Sequence, residues 1–332
     1  MNPWHRFAHS PIIRRILDAI AGALVAVVCF SVYSVLVLKQ VPFSVGCGSY
    51  YPLTNGALDC GEYMQSSVRL QALDAELEAA TNQYVARGKA TRVSVWVRDL
   101  TSQQYAASNE NETYVPASLL KVPLLITYYK LAEVEPSVLG EPLVYMATSA
   151  QNDKTQNFMP QSKLVSGQTY PVSRLIESMM IDSDNDAAGV LLSHLGHDTL
   201  NTTLVDLGIQ VPTQSGTLDY VTVKSYAAIF RILYNASYLD RNYSEKALEL
   251  MSRSTFKGVA APLPSTVVVA HKFGERKVLD ANGTVTKEEL HDCGIVFKQN
   301  TPYSICIMTQ GSDFTDLQSI ITDLSAMIYK GM

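Results

Sequence analysis

The stretch "TRVSVWVRDL", residues 91–100, alternates Val93, Val95 and Val97 against Ser94, Trp96 and Arg98. A period of two, rich in β-branched side chains, predicts a strand with one face on a core. Before it, Leu70, Leu73, Leu77, Ala80 and Tyr84 recur at helical spacing, and Gly88 follows as a stop. After it, "SQQYAAS" (residues 102–108) reads as a hairpin partner. From about 114 to 262 the pattern is mostly helical, with polar loops at "AQNDKTQN" and "PTQSG". Strand signals return at "STVVVAHKFG", "LHDCGIVFKQ" and "YSICIMTQG", and a last helix lines up Phe314, Leu317, Ile320, Ile321, Leu324 and Ile328. Strands from both ends of the chain must therefore meet in one mostly antiparallel five-stranded sheet. The N- and C-terminal helices cover it, and an all-α lobe is inserted between the strands. This is an α+β plan, and the cleft between its lobes is the natural place for a site.

The whole chain has 332 residues, a net charge of -5 and 47% hydrophobic residues, enough for a sizeable core. No basic stripe stands out, which argues against nucleic acid as a partner. The five cysteines form no C-x-x-C, and no H-E-x-x-H appears, so neither a metal nor a cofactor is expected. Residues 19–38, "AIAGALVAVVCFSVYSVLVL", carry no charge. A helix of that length matches the roughly 30 Å of a bilayer core. Arg6, Arg14 and Arg15 precede it, which keeps residues 1–18 in the cytoplasm and sends the remainder outside. The expectation is a single-pass anchor in the cytoplasmic membrane with an extracytoplasmic catalytic domain; a cleaved signal peptide is the rival reading. Residues 39–64 read as a linker, broken by Pro42, Gly46, Gly48, Pro52 and Gly56, in which Cys47 and Cys60 are either a disulfide or two free thiols. The domain proper is 65–332.

Three short segments carry candidate chemistry. In "VPASLLKVPLL" (115–125), Ser118 and Lys121 are one turn apart in an apolar helix. A lysine against apolar walls loses its proton more easily, and a neutral amine can take the proton of a neighbouring serine. The bland alternative is a capping serine and a snorkelling lysine. In "MMIDSDNDAAGVLL" (179–192), Ser183, Asp184 and Asn185 lie between two apolar helical runs. They are either a helix cap or polar tips in a cleft. Asp182, Asp184 and Asp186 have calcium-loop spacing, but Ala187 stands where that loop needs Gly and no Glu closes it. In "VVVAHKFGERK" (267–277), Lys272 ends a buried β run and Gly274 permits close approach to the strand, unless the pair is an edge lysine and a bulge glycine.

Taken together and in this order, S-x-x-K, S-D-N and K-x-G resemble the motifs of the serine β-lactamases and penicillin-binding proteins. The class A β-lactamase-like branch is the nearer resemblance. It implies that Ser118 is the acylated nucleophile, that Lys121 is the base or assists it, and that Ser183 passes a proton to the leaving nitrogen. It also implies that Asn185 holds the substrate amide and Lys121. Lys272 would bind a substrate carboxylate and keep Lys121 neutral, and Gly274 would lead into an oxyanion hole made by the N–H groups of Ser118 and Glu275.

Two departures stand out. Phe273 replaces the usual Thr or Ser of the third motif, and either Arg276 or His271 is a candidate substitute for the missing hydroxyl. The segment 207–222 is too short for the family's E-x-x-L-N loop and has no Glu; either Asp219, its only acid, serves as the deacylation base, another route hydrolyses the acyl-enzyme, or turnover is slow. The resemblance implies a serine hydrolase acting on β-lactams through an acyl-enzyme that hydrolyses slowly. The alternatives are a D-Ala-D-Ala carboxypeptidase acting on peptidoglycan peptides and a non-hydrolysing penicillin-binding sensor.

Overall fold

The computed structural model describes residues 53–54, 68–147, 156–161, 164–212 and 218–332. The apolar run 19–38, the segment before it, and Cys47 and Cys60 lie outside the described residues. Among those described, no helix is long and apolar enough to cross a membrane. Leu53 and Thr54 fall in the stretch read as a linker, yet they are docked. The Leu53 N–H donates to the Glu245 carboxylate at 2.9 Å, and the Arg241 guanidinium donates to the Thr54 hydroxyl at 3.1 Å.

Helix α1 (Gln71–Ala86) leads into β1 (Arg92–Asp99) and β2 (Tyr105–Ser108). A single 3₁₀ turn, Ala117–Leu120, then opens the helical lobe. The lobe holds α2 (Lys121–Ala132), β3 (Pro142–Val144), β4 (Thr169–Pro171) and α3 (Val172–Ile181). It continues through α4 (Asn185–Leu195), α5 (His197–Asp206), α6 (Val223–Tyr234) and α7 (Arg241–Ser252). Strands β5 (Val269–Leu279), β6 (Val285–Val296) and β7 (Tyr303–Gly311) and helix α8 (Phe314–Gly331) complete the chain.

The sheet order is β2-β1-β7-β6-β5, and every pairing in it is antiparallel. The α+β architecture and the five-stranded sheet are as the sequence predicts. Three details differ. The lobe is not all-α: β3 and β4 form a two-stranded sheet. Three-residue strands are too short to show a period, and Pro142 and Pro171 argue locally against strand. The long sheet is covered on both faces rather than one. Val93, Val95 and Val97 pack with Leu317, Ile321 and Leu324 beneath the terminal helices. Trp96 joins the core of the helical lobe and stacks on Tyr105 at 4.9 Å. Ser94, which alternation places in solvent, is buried because Tyr114 and the Asn109 carbonyl satisfy its hydroxyl.

Cys293 and Cys306 face each other in register on β6 and β7 and form a disulfide. Their sequence separation of 13 closes a short loop. Cross-linking such a loop removes about 3 kcal/mol of unfolded-state entropy in the chain-entropy model. Reduction under native conditions is expected to lower stability by up to about that amount, seen as an earlier thermal midpoint with reductant. A midpoint indifferent to reductant in a protein with both thiols oxidised would show that the bridge does not stabilise the fold.

Candidate active site

The nucleophile turn is held from three sides. The Tyr226 hydroxyl of α6 donates to the Leu119 carbonyl at 2.7 Å. The His291 ring of β6 donates through Nε2 to the Val115 carbonyl at 3.0 Å, while Nδ1 accepts from the Thr309 N–H at 3.3 Å. That tautomer is neutral, and burial lowers the His291 pKa to about 4. From the third side, Gly274 presses against the turn: a Cβ there would sit 2.9 Å from the Pro116 carbonyl and 3.1 Å from the Leu119 nitrogen. Gly274 therefore admits the nucleophile turn, rather than a ligand, to the edge of β5. Ser118 does not open a regular helix, as its spacing implied; it lies in the 3₁₀ turn after Ala117, whose φ of 48° is left-handed. Such a conformation costs a non-glycine residue about 1–3 kcal/mol and persists only where the surroundings dictate it.

Across the cleft, Ser183 has the same left-handed backbone, φ 58°, and is fully buried. Asp184 fixes it there. Its carboxylate caps α4 by accepting from the Asp186 and Ala187 N–H groups, and it also accepts from the Ser178 and Tyr145 hydroxyls. Four donors on one buried carboxylate explain why this cap tolerates desolvation.

Ser118, Lys121, Ser183, Asn185 and Lys272 are brought to one place. Lys121 Nζ lies 2.7 Å from the Ser183 carbonyl, 3.0 Å from Ser183 Oγ and 2.5 Å from Asn185 Oδ1. Lys272 Nζ donates to the same Ser183 Oγ at 2.9 Å and to the Phe273 carbonyl at 3.0 Å. Both amines are buried. Desolvation lowers the Lys121 pKa to about 7, against the opposing charges of Asp184, Glu275 and Asp186. Lys272 is held well below the usual lysine range, first by burial and then by Lys121.

These contacts define a proton path. A charged Lys121 fills three acceptors. A neutral Lys121 has two hydrogens, which the Ser183 carbonyl and Asn185 Oδ1 take, and a lone pair left facing Ser183 Oγ. The Ser183 hydroxyl can then donate to Lys121 while accepting from Lys272. A proton can thereby pass between the two lysines through Ser183, next to the cleft that Ser118 and Lys121 both line.

The replaced hydroxyl of the third motif has a structural reason. The Phe273 ring packs 4.3 Å from Phe256 and 5.2 Å from Phe158 in the core under the sheet. His271 is no substitute, because its Nδ1 is 2.9 Å from the Asp292 carboxylate on β6. Arg276 does line the cleft, with Gln156 and Glu275. Glu275 has a second task that nothing in the sequence marks: its side chain accepts from the Asn157 N–H at 2.7 Å and the Phe158 N–H at 3.0 Å, tying that segment to β5. Asp219 is not brought to the cleft. Its carboxylate is bound by Arg92 at 2.9 Å, beside the Tyr114–Val221 bridge. Among the described residues no cluster of side chains could hold a metal ion.

A nucleophile turn, two buried amines and a bridging hydroxyl in a two-lobed cleft define a serine hydrolase of the β-lactamase-like class. Residues 73–332 match the model of the Beta-lactamase enzyme family, and the chain belongs to that family. A search of curated proteins finds no match. Among solved structures, PBP-A superposes with a TM-score of 0.64 at 20% identity, over 81% of this chain and 98% of that one. A PBP-A mutant solved as its acyl-enzyme complex with penicillin G gives 0.65 at 18% identity, over 80% and 98%. A class A β-lactamase from Mycobacterium abscessus gives 0.64 at 18% identity, over 78% and 98%. At these identities the likeness establishes the fold.

Two predictions follow from this geometry. If neutral Lys121 is the base, the acylation rate rises with pH, has its midpoint near the Lys121 pKa of about 7, and levels off above it. Stopped-flow acylation across pH measures this, and a rate flat through neutrality removes Lys121 as the base. Installing the family's hydroxyl by Phe273→Thr should cost about 3 kcal/mol by opening the aromatic cluster. Denaturant unfolding reads the loss; an unchanged midpoint would mean that the ring does not support the core.

Proposed function

We propose that this protein is a membrane-anchored serine hydrolase that attacks β-lactams through a Ser118 acyl-enzyme and releases the product slowly. Ser118 attacks the lactam carbonyl. Its proton leaves toward Lys121, and the relay through Ser183 returns one to the lactam nitrogen as the C–N bond breaks. The N–H groups of Ser118 and Glu275 receive the oxyanion. Lys272 and Arg276 hold the substrate carboxylate, and Asn185 holds its amide.

One observation carries the slow step. Among the described residues lining the cleft, the only carboxylate is Glu275, and its oxygens are occupied by the N–H groups of residues 157 and 158. No other acid lines it among the described residues, and Glu275 is already engaged in holding residues 157 and 158. General-base assistance is worth about 10²–10⁴-fold, so an acyl-enzyme without it is long-lived. The same observation favours a second reading, a D-Ala-D-Ala carboxypeptidase acting on peptidoglycan peptides, since the acylation half of that reaction is identical. Placement outside the cytoplasmic membrane is supported by the arginines before residues 19–38 and by the Cys293–Cys306 disulfide, a bond typical of oxidising compartments.

Quenched-flow mass spectrometry with penicillin is expected to show a stoichiometric burst of acylated protein followed by slow decay. Ser118→Ala should carry no adduct, and Asp219→Asn should leave the slow phase unchanged. Rapid linear turnover with no trapped adduct would exclude slow deacylation. D-Ala release from a peptide substrate, without net β-lactam loss, would select the carboxypeptidase.

A further inference from the structure

Beyond the polar groups, the cleft runs on as an apolar pocket. Together they offer about 350 Å³ in a groove open to solvent. The extension is walled by Leu120, Leu124, Ala188, Gly189, Leu192 and Leu200, and it is continuous with Ser118 and Lys121. On α4, Asn185, Ala188, Gly189 and Leu192 share one face, so the side that offers Asn185 to the site also offers three apolar residues to the extension.

Gly189 is the informative residue. It sits inside a helix, where glycine is costly. Its φ is not left-handed, and a Cβ built on it would meet nothing within 4 Å. Neither backbone geometry nor protein packing therefore requires glycine here. Gly189 is exposed, and the open space above it is continuous with the cleft that Ser118 lines.

We propose that this extension is an acyl-chain pocket, and that Ser118 accordingly hydrolyses esters of unbranched aliphatic acids as a second activity. The proposal rests on the Ser118 acyl-enzyme reading. In the first step Ser118 Oγ bonds to the ester carbonyl carbon, the C–O bond to the leaving alcohol breaks, and the serine proton passes through Lys121 and Ser183 to that alcohol. In the second, water adds to the acyl-Ser118 ester. The fatty acid leaves, and the proton returns to Ser118. The hydrocarbon tail lies along Leu124, Gly189 and Leu192 during both steps, where its removal from water favours longer chains. A compact β-lactam leaves the extension empty.

The test is a series of p-nitrophenyl acetate, butyrate and hexanoate with the full chain, Ser118→Ala and Gly189→Leu. For the native chain, kcat/KM should rise roughly tenfold or more from acetate to hexanoate, as burial of added methylenes requires, and vanish in Ser118→Ala. In Gly189→Leu the hexanoate value should fall toward that of acetate, with a thermal midpoint no lower than the native one to show that the helix is intact. A flat or falling series that still depends on Ser118 overturns the acyl pocket alone, and is the result if a segment of this chain fills the space. Penicillin labelling of Ser118 without any ester hydrolysis also overturns the pocket alone. Absence of both labelling and Ser118-dependent hydrolysis overturns the underlying acyl-enzyme reading.

Discussion

Two amines share one hydroxyl. Lys121 and Lys272, both removed from water, converge on Ser183 Oγ from a helix and from a strand. Two ammonium ions so placed would repel each other with little solvent to screen them. Burial and mutual repulsion both favour giving up a proton, against the pull of the nearby carboxylates, and much of the surrounding structure keeps the groups close. Asp184 clamps the Ser183 backbone in a conformation it would not choose. Asn185 and the Ser183 carbonyl stop Lys121 from swinging out to water. The strain at Ala117 and Ser183, one on each side of the cleft, is the cost of bringing these groups together.

Strand β5 is the other half of that arrangement. Among the described residues no strand pairs with its outer side, and the nucleophile turn packs there against Gly274. Successive residues of β5 are assigned by surroundings rather than by type. Lys272 turns to Ser183 and Gly274 yields to the turn. His271 pairs with Asp292, and Phe273 joins Phe158 and Phe256. The aromatic cluster and the Glu275 carboxylate together hold residues 157–158 against the strand.

Much of this was legible in the sequence, because buried strands and helices announce themselves by period and because the three motifs fall on them. Val93, Val95 and Val97 place β1; Lys121, Ser183, Asn185 and Lys272 are in contact, and Ser118 lines the same cleft as Lys121 and Asn185. What escaped depends on contacts between distant residues. Nothing local distinguishes Asp219 as a base from Asp219 as the partner of Arg92, over a hundred positions earlier. The Cys293–Cys306 bridge is a matter of strand register, which needs both strands placed. Phe273 looks like a lost hydroxyl until Phe256 and Phe158 are seen beside it. The three-residue strands β3 and β4 carry too little pattern to register at all.

The placement of β7 has a consequence for how the molecule is made. It lies at the middle of the sheet yet is the last strand of the chain, and it pairs with β1, Arg92 opposite Gln310. While the chain is being synthesised, β1 and β2 have only α1 to pack against, through Leu73 and Leu77, until the later strands emerge. Their apolar faces and open edge wait until more than two hundred further residues have emerged. Such long-range pairing makes folding slow and leaves a nascent intermediate with an exposed strand edge. Because β7 alone joins β1 to β6, the two halves of the sheet, and with them β5 and the first strand, are united only when the last strand of the sheet is in place.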